Sequence, residues 1–373
     1  MNKKVLFFIY TLGMGGAERI LSLLSKHLPT PYTTTFVVHS QPETCFAHRG
    51  EVINYDLPRF RSKIIMYVYA ILRNVQVILK GKPALIVSTL QFMDLLVLIS
   101  VMLLRLVFVK VPKVIVRIES AREVKRPTTW RQKFLVWLFR YVDAFIVVSE
   151  QLKPFLIANF SIPTEKIHCI YNGVEIANTP VLPYEKREFL YDIISIGRMV
   201  EAKDHVTMLH TIKELVTTHR FTELRVCIVG GGNKEKEIHS LAKSLQIEKY
   251  ISFMGTLDFE QGQALLLQSK LFLLTSKWEG FGIVLIEAMS KGLPIVSTNC
   301  NFGPNEVLAS GKYGVLVPVG EPKAIALALA ELLMDTSKLN QLSELSTVRA
   351  NFFDMKKIAE QHRTLFDALL KTP

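Results

Sequence analysis

Patterns typical of buried strands recur along the first half of the chain. Five short runs are almost continuously apolar, as the strands of a parallel sheet covered on both faces are. Stretches with helical periodicity separate them, for example GAERILSLLSKHL at residues 16–28. The predicted strands are KVLFFIY (4–10), TTFVVHS (34–40), ALIVST (84–89), KVIVRIE (113–119) and AFIVVS (144–149). This alternation predicts an open α/β sheet.

The same alternation starts again in the second half of the chain. Between the two sets, residues 172–188 contain Asn172-Gly173 and two prolines, which predicts a linker. We therefore predict two doubly wound α/β domains, residues 1–175 and 176–356, with a C-terminal helix of about residues 357–373 packing back on the first. The second set of strands is DIISIGR (192–198), RVCIVGG (225–231), YISFMGT (250–256), KLFLLTS (270–276), LPIVSTN (293–299) and GVLVPV (314–319).

Three stretches of the first half are apolar enough to suggest contact with a membrane. LLVLISVMLL, residues 95–104, is about half as long as a membrane-spanning helix, so it predicts a buried or interfacial helix. SKIIMYVYAILRNVQVILKGK, residues 62–82, is both basic and apolar. WRQKFLVWLFRY, residues 130–141, has an apolar stripe flanked by basic side chains, which fits a membrane interface and an ordinary amphipathic helix equally well. The stripe consists of Trp130, Phe134, Trp137 and Leu138.

The net charge of +12 is concentrated in the first half of the chain. Residues 1–170 contain 23 Lys and Arg against 10 Asp and Glu, whereas the remainder contains 22 against 23. An anionic partner of the first half, either a membrane surface or nucleic acid, would explain this asymmetry, and so would plain solvated basic surface. We expect no nucleic acid, because no RNA-binding or helix-turn-helix motif is present.

The four cysteines, Cys45, Cys169, Cys227 and Cys300, show no CxxC spacing. A disulfide framework or a zinc site is therefore not expected, and a reducing cytoplasm is the compartment that fits.

Two glycine-rich stretches follow predicted strands. TLGMGGAER, residues 11–19, leads into a helix, where small residues allow backbone N–H groups to approach a phosphate. Neither this stretch nor the cluster at residues 230–232 completes the GxGxxG fingerprint, because Glu18 and Glu235 occupy the third glycine position. A dinucleotide-dependent oxidoreductase is therefore disfavoured, and each loop alone could be a tight turn between a strand and a helix.

The stretch SIGRMVEAKDH, residues 195–205, carries two cations at the end of a predicted strand. Arg198 and Lys203 would lie at the carboxyl edge of the second sheet, where open α/β folds bind ligands. An arginine fork together with a lysine point charge suits a diphosphate.

Two glutamates flank a Gly-Phe-Gly step in SKWEGFGIVLIEAMSKGLP, residues 276–294. The glycines predict a loop over residues 277–282, followed by a helix that ends at Gly292. Glu279 would then lie in the loop and Glu287 in the helix, whose first amides form a cradle for an anion. This arrangement fits two ends of one bound molecule better than an acid–base pair.

Together, GGAER, GRMVEAKDH, EGFGIVLIE and GPNEVL (303–308) resemble the motifs of glycosyltransferase family 4, in this order and over essentially the whole chain. The resemblance implies a GT-B fold, in which two Rossmann-like domains face each other across a cleft. It also implies a retaining transferase whose N-terminal domain binds the acceptor and whose C-terminal domain binds a nucleotide sugar.

The resemblance assigns roles to individual residues. Arg198 and Lys203 would hold the donor diphosphate and stabilise the leaving nucleotide in place of a metal, so that neither a metal nor another cofactor is expected. Glu287 would bind the ribose hydroxyls and Glu279 would face the donor sugar. Glu279, Arg198 and Lys203 are thus the candidate catalytic residues. The other implied donor contacts are Gly15, Gly16, Phe281, Gly282, Ile283 and Glu306.

The N-terminal domain departs from the family pattern at one place. Many members have a histidine after the fourth or fifth strand, where this chain has VRIESARE, residues 116–123. The stretch loosely resembles a Ser-Glu-Arg-Asn-like element of one subgroup. Arg117, Glu119 and Arg122 are therefore candidate acceptor contacts.

The expected function is a metal-independent hexosyltransferase of bacterial surface glycan biosynthesis. It would move a hexose or N-acetylhexosamine from a UDP-linked sugar to a lipid-linked saccharide, in the cytoplasm and at the inner face of the cell membrane. A nucleotide-sugar epimerase, or another non-transferase on the same fold, is the alternative; it would leave the one-sided positive charge unexplained.

Overall fold

The computed structural model describes residues 3–13, 15–40, 46–56, 63–120, 126–177 and 182–371. It divides into two compact units. Unit 1 comprises Met1–Gly173 and Met355–Pro373, and unit 2 comprises Val174–Asp354. Each division lies two residues before the boundary predicted from the sequence, at residues 175 and 356.

Unit 1 is built on a sheet of seven parallel strands in the order β3-β2-β1-β4-β5-β6-β7. Its central strands are buried on both faces along most of their length, which explains their continuous apolar sequences. The strands are β1 (Lys3–Ile9), β2 (Tyr32–Val38), β3 (Glu51–Asn54), β4 (Leu85–Thr89), β5 (Lys113–Ile118), β6 (Ala144–Val147) and β7 (Ile167–Cys169). The helices are α1 (Gly16–His27), α2 (Lys63–Gly81), α3 (Gln91–Leu106), α4 (Trp130–Leu138), α5 (Lys153–Phe160) and α13 (Met355–Lys371).

The C-terminal helix α13 is part of unit 1. Met355, Ile358 and Phe366 join the core of the seven-stranded sheet. Asp367 accepts hydrogen bonds from Lys3 Nζ at 2.5 Å and from Tyr32 OH at 2.7 Å, and these contacts lower the pKa of its carboxyl group. The last helix thus ties the end of the chain to its first strand.

Unit 2 contains a sheet of six parallel strands in the order β10-β9-β8-β11-β12-β13. The strands are β8 (Tyr191–Ile196), β9 (Val226–Val229), β10 (Ile251–Gly255), β11 (Ser269–Leu274), β12 (Ile295–Thr298) and β13 (Val315–Val317). The helices are α6 (His205–Thr217), α7 (Glu235–Ser244), α8 (Phe259–Leu267), α9 (Ile283–Ser290), α10 (Pro304–Val307), α11 (Pro322–Met334) and α12 (Thr336–Ala350). The two sheets confirm the predicted class of two doubly wound α/β domains.

The apolar stretches of the first half form helices of different exposure. The run at residues 95–104 belongs to α3, half of whose side chains are buried. In α4 the predicted stripe is divided, because Leu138 is fully buried whereas Trp130 is 71% exposed. The predicted linker near residues 172–188 lies partly outside the described residues.

Candidate active site

The candidate site of unit 2 lies where its sheet changes direction. From β8 the chain moves to β9 on one side of the sheet and later to β11 on the other. β8 and β11 are direct neighbours, paired in parallel from Ser269 and Tyr191 onward. Loops that follow two such strands diverge and leave a crevice at the carboxyl edge, which is the usual ligand position in open α/β sheets.

Lys203 and Glu279 meet at this crevice. Lys203 follows β8 and Glu279 follows β11. Lys203 Nζ donates to Glu279 Oε1 at 2.6 Å, and Ser276 Oγ donates to the same oxygen at 2.6 Å. The two charged side chains are 20% and 10% exposed, so the ion pair is largely shielded but still open to solvent. The structure therefore brings two of the three predicted catalytic residues into direct contact.

Backbone contacts fix the two loops to each other. Thr275 Oγ1 donates to the carbonyl oxygen of Lys203 at 3.0 Å. The N–H of Lys277 donates to the carbonyl oxygen of Ala202 at 2.8 Å. Thr298 Oγ1 donates to the carbonyl oxygen of Ser276 at 2.7 Å, which adds the end of β12. Lys203 and Glu279 are thus held by three adjacent strands.

The sequence analysis did not single out Thr275, Ser276 or Thr298. The sequence feature that could have identified them is a hydroxyl residue at the carboxyl end of a predicted strand, in the runs LLTS and IVST.

The turn that carries Lys203 leads directly into α6. Asp204 is the N-cap of this helix and accepts from Thr207 Oγ1 at 2.7 Å. Burial, with Lys203 nearby, lowers the pKa of His205 to about 4, so the imidazole is neutral at pH 7. The positive charge of this turn therefore comes from Lys203 and Arg198 and not from His205.

Arg198 lies in the exposed part of the same turn. Among the described residues, no hydrogen bond or ion pair engages its guanidinium group, so the group is available to a ligand. The glycine cluster at residues 230–232 packs against this turn, where Met199 N–H donates to the Gly231 carbonyl oxygen at 2.8 Å. Gly230 has φ +132°, and a Cβ there would be 2.1 Å from the Gly197 carbonyl oxygen. Close backbone packing therefore explains these glycines.

Glycine also shapes the start of α9. Gly282 has φ +85° and precedes the first helical residue, Ile283. Phe281, just before this glycine, is 2% exposed. A Cβ on Gly303 would lie 2.1 Å from the carbonyl oxygen of Phe281, so the segment before α10 packs against the start of α9. Glu287 is half-buried, one turn into the helix.

Glu306 belongs to the short helix α10 and is half-buried. Its carbonyl oxygen accepts from Arg349 Nη2 at 2.7 Å.

The remaining predicted residues belong to unit 1. Gly15 is the N-cap of α1, which starts at Gly16, and a Cβ on Gly15 would be 2.2 Å from a carboxylate oxygen of Glu18. Glu119 follows β5, with its side chain 9% exposed. Arg122 lies outside the described residues.

Arg117, predicted as an acceptor contact, has a fully buried side chain in this structure. The guanidinium donates to Asn172 Oδ1, and Nη1 lies 3.2 Å from Glu119 Oε1. Arg117 therefore positions Glu119, and periodicity could not reveal this because it places Arg117 on a strand without showing how deeply the strand end is buried.

A buried carboxyl group near Glu119 was also missed. Asp94 is 1% exposed and accepts from Ser88 Oγ at 2.6 Å. Burial, and to a smaller extent the charge of Glu119, raise the pKa of Asp94 to about 8. Among the described residues, no cluster of three or more His, Cys, Asp or Glu side chains could hold a metal ion.

Two family models match the chain. The model described as Glycosyltransferase Family 4 matches residues 14–178, and the model described as Glycosyl transferases group 1 matches residues 183–347.

Relatives in bacterial glycan biosynthesis share part of the sequence. The N-acetylgalactosamine-N,N'-diacetylbacillosaminyl-diphospho-undecaprenol 4-alpha-N-acetylgalactosaminyltransferase of Campylobacter jejuni is 28% identical over 233 residues, 61% of each chain. The putative colanic acid biosynthesis glycosyltransferase WcaL of Escherichia coli is 29% identical over 209 residues, 54% of this chain and 50% of that protein. An uncharacterized glycosyltransferase of Methanocaldococcus jannaschii is 24% identical over 271 residues, 63% of this chain and 66% of that protein. The chain thus spans between half and two thirds of these relatives.

Solved structures share the fold over nearly the whole chain. HepE of Anabaena, in complex with UDP and glucose, superposes with a TM-score of 0.78 at 19% identity and covers 98% of this chain and 99% of its own. Sucrose-phosphate synthase of Thermosynechococcus elongatus superposes with a TM-score of 0.79 at 17% identity, over 100% of both chains. With one family model on each half of the sequence and this common architecture, the chain belongs to glycosyltransferase family 4 and is a transferase enzyme with the GT-B fold.

Proposed function

We propose that the enzyme transfers a hexose or N-acetylhexosamine from a UDP-linked sugar to a lipid-linked saccharide acceptor of a bacterial surface glycan, with retention of configuration and without a metal ion. The observation that carries this proposal is the Lys203–Glu279 ion pair at the direction change of the second sheet. The exposed Arg198, in the same turn as Lys203, supports it.

The ion pair suggests how the donor is received. A diphosphate carries more negative charge than one carboxylate. It can therefore replace Glu279 as the ionic partner of Lys203 when the donor binds. Arg198 adds a fork of donors to the same anion. When the bond between the sugar and the diphosphate breaks, negative charge grows on the departing oxygen, and these two cations stabilise it more strongly than in the bound donor.

The released Glu279 carboxylate would then face the sugar. It can accept hydrogen bonds from sugar hydroxyls and can stabilise the positive charge that develops at the reacting carbon. Glu287 would bind the ribose, while the amides of Phe281, Gly282 and Ile283 would offer donors near the start of α9. Further donor contacts would come from Glu306 and from Gly15 and Gly16.

The identities of donor and acceptor are proposed from relatives. HepE forms a complex with UDP and glucose, which supports a UDP sugar. The Campylobacter relative is named for an undecaprenyl diphosphate-linked acceptor, which supports a lipid-linked saccharide. Unit 1 would bind this acceptor through Glu119 and Arg122, and unit 2 would bind the donor.

A lipid-linked acceptor requires access to a membrane. We propose peripheral association with the inner face of the cell membrane from the cytoplasm, through the basic half of the chain. The excess of 23 basic over 10 acidic residues in positions 1–170 supports attraction to anionic lipids.

The test measures sugar transfer and donor hydrolysis by the purified enzyme with a panel of UDP and GDP sugars. We expect Arg198→Ala and Lys203→Ala each to lower kcat/KM by about 10²-fold or more, as loss of one charge-stabilising group does. Chelation with EDTA should leave the activity unchanged. Product analysis with donor alone separates transfer from epimerisation.

Two cations at the opposite edge of the same sheet provide matched controls. Arg225 and Lys270 pair with Asp192 at 3.5 Å and 2.8 Å, near the amino ends of β9, β11 and β8. Arg225→Ala and Lys270→Ala should retain activity. Full activity in both Arg198→Ala and Lys203→Ala would overturn the assignment of the site.

A further inference from the structure

Helix α2 carries an exposed apolar stripe along most of its length. At about 100° per residue, its five exposed large apolar side chains lie within an arc of about 100°. Ala70, Asn74 and Ile78 are buried on another side of the helix, facing the body of unit 1. The stripe consists of Ile64, Ile65, Val68, Leu72 and Leu79, which are 43–73% exposed.

Helix α2 is attached to unit 1 along its length. Within the described residues, it is the helix long and apolar enough to cross a membrane, with 19 residues and a mean hydropathy of 1.3. However, the buried Asn74 accepts from Tyr55 OH at 2.8 Å, and Ser100 Oγ of α3 donates to the Ile71 carbonyl oxygen at 3.3 Å. After α2, the chain enters β4 of the same sheet at Leu85. The helix can therefore present its stripe along a surface while it remains packed on the sheet.

Phe108 stands just beyond the end of α3 and is 97% exposed. Its φ of +56° lies in the left-handed region that favours glycine at helix ends. A phenylalanine in this conformation is strained, and its exposed ring gains no packing in return. Because glycine would be the more stable choice in water, the side chain points to a role outside the folding of unit 1.

Phe108 and the last residue of the stripe, Leu79, lie at the same end of the pair formed by α2 and α3. Both helices lead into the next strand of a parallel sheet, so they run in the same direction along it. Ser100 of α3 donates to the carbonyl oxygen of Ile71 of α2, which places the two helices side by side, and Leu79 and Phe108 are near their carboxyl ends. We call the stripe on α2 together with Phe108 the α2–α3 surface.

The charge around this surface is almost entirely positive. Residues 63–112 contain six Lys and Arg but a single acidic residue, Asp94, which is buried. Lys63, Lys80, Lys82 and Lys110 are exposed near the ends of α2 and α3. Long basic side chains beside an apolar face suit the headgroup region of an anionic bilayer, where the apolar groups enter the boundary of the acyl chains.

We propose that the α2–α3 surface is the membrane-docking face of this enzyme, with α2 lying in the plane of the bilayer and Phe108 inserted into it. This inference rests on the membrane association proposed above and identifies the surface that makes the contact. The amino end of α2, with Ile64, lies towards the carboxyl edge of the first sheet, the edge at which open α/β sheets bind ligands. An acceptor whose lipid stays in the bilayer would be within reach of this edge.

The test is flotation of the full chain with vesicles that contain phosphatidylglycerol, compared with vesicles of phosphatidylcholine alone. The wild-type chain should bind the anionic vesicles, and rising salt should weaken the binding. Phe108→Gly should lower the partition coefficient roughly tenfold, since it removes one large apolar side chain from the lipid. It should not lower the melting temperature, because glycine relieves the backbone strain.

Ser161→Gly is the matched control for the backbone change, because the exposed Ser161 has φ +53° at the end of α5. A second pair of variants compares Val68→Glu with Leu327→Glu, whose side chains are 51% and 52% exposed in unit 1 and unit 2. Val68→Glu should release the chain from vesicles, whereas Ser161→Gly and Leu327→Glu should bind as the wild type does.

Wild-type levels of vesicle binding by both Phe108→Gly and Val68→Glu would overturn the assignment of this surface. Absence of binding by the wild-type chain, or self-association that these variants abolish, would show that the surface has another occupant and would overturn it as well. Transfer to a water-soluble acceptor should be unchanged in Phe108→Gly. That assay reports on the proposed function separately from docking.

Discussion

At the scale of single residues, the central feature is that Lys203 and Glu279 neutralise each other. A lysine that is to bind a diphosphate is held by a carboxylate at 2.6 Å, and Ser276 fixes the same carboxylate oxygen. Donor binding must therefore break one charge-assisted contact before it forms another. The pair keeps both charges compensated in a largely shielded position, and it lowers the net gain from binding the diphosphate.

This exchange predicts opposite effects of one substitution on binding and catalysis. In Glu279→Gln the lysine loses its competing anion, so UDP should bind several-fold more tightly. Sugar transfer should fall about 10²-fold, because the charge facing the sugar is lost. Calorimetric titration with UDP and steady-state transfer kinetics measure the two effects.

The control for Glu279→Gln is Asp192→Asn, which neutralises the carboxylate paired with Lys270 at the other edge of the sheet. It should change neither UDP affinity nor turnover. Weaker UDP binding by Glu279→Gln would contradict the exchange, since it would mean that the carboxylate supports the bound nucleotide.

The sequence predicted both members of this pair but not their contact. Motif spacing identified Lys203 and Glu279 as donor residues. Their pairing depends on the neighbouring positions of β8 and β11, although the two residues are 76 positions apart in the sequence. That adjacency is a property of sheet order, which strand patterns alone do not determine.

At the scale of secondary structure elements, the start of α6 connects stability with the site. Asp204 follows Lys203 and caps α6, and Thr275 of β11 holds the carbonyl oxygens of both residues. We expect Asp204→Ala to lower the free energy of unfolding by about 1–2 kcal/mol through loss of the cap. It should also weaken UDP binding, because the turn that carries Lys203 becomes less fixed.

Asp335 provides a matched cap in the same unit, since it accepts from Lys338 N–H at 2.9 Å at the start of α12. Asp335→Ala should lower the free energy of unfolding, because it removes a helix cap, and should leave UDP affinity unchanged. Urea denaturation and UDP titration compare the two variants. Equal UDP affinity in both would show that the cap of α6 has no influence on the site.

The elements also show the limits of sequence patterns. The eleven predicted strands correspond to observed ones. Burial on both faces leaves a continuous apolar run in most of them, whereas β10 and β13 are edge strands with partly exposed side chains. β3 (EVIN) and β7 (IHC) were not predicted: each is a short edge strand of the first sheet, with partly exposed side chains. Their pairing comes from the neighbouring strand, so their own sequences carry little periodic signal.

At the scale of the whole molecule, the two units differ in their buried titratable groups. Burial lowers the pKa of His39 and His205 to about 4 and that of His362 to about 3. Each histidine stabilises its unit above pH 6.5, and this contribution is lost as the pH falls, because the unfolded chain binds the proton first. His39 and His362 belong to unit 1, and His205 belongs to unit 2.

Asp94, in unit 1, changes the stability with pH in the opposite direction. Its folded pKa of about 8 lies above the unfolded value, so it contributes stability that is full below about pH 4 and is lost as the pH rises to 8. Between pH 4 and 6.5 its effect opposes that of the histidines of unit 1, which also include His168, whose pKa is lowered by burial and by Lys153. Above about pH 7 the histidines contribute little further slope, and Asp94 dominates.

Unit 1 should therefore lose about 1 kcal/mol of stability between pH 7 and 8, while unit 2 stays nearly level. Peptide-resolved hydrogen exchange at the two pH values, corrected for intrinsic rates, measures the units separately. Asp94→Asn keeps an acceptor for Ser88 Oγ but cannot ionise, so it should abolish the loss in unit 1 and leave unit 2 unchanged. A loss of stability that persists in Asp94→Asn, or that is equal in both units, would contradict this assignment. It would show that another titratable group governs the stability at alkaline pH.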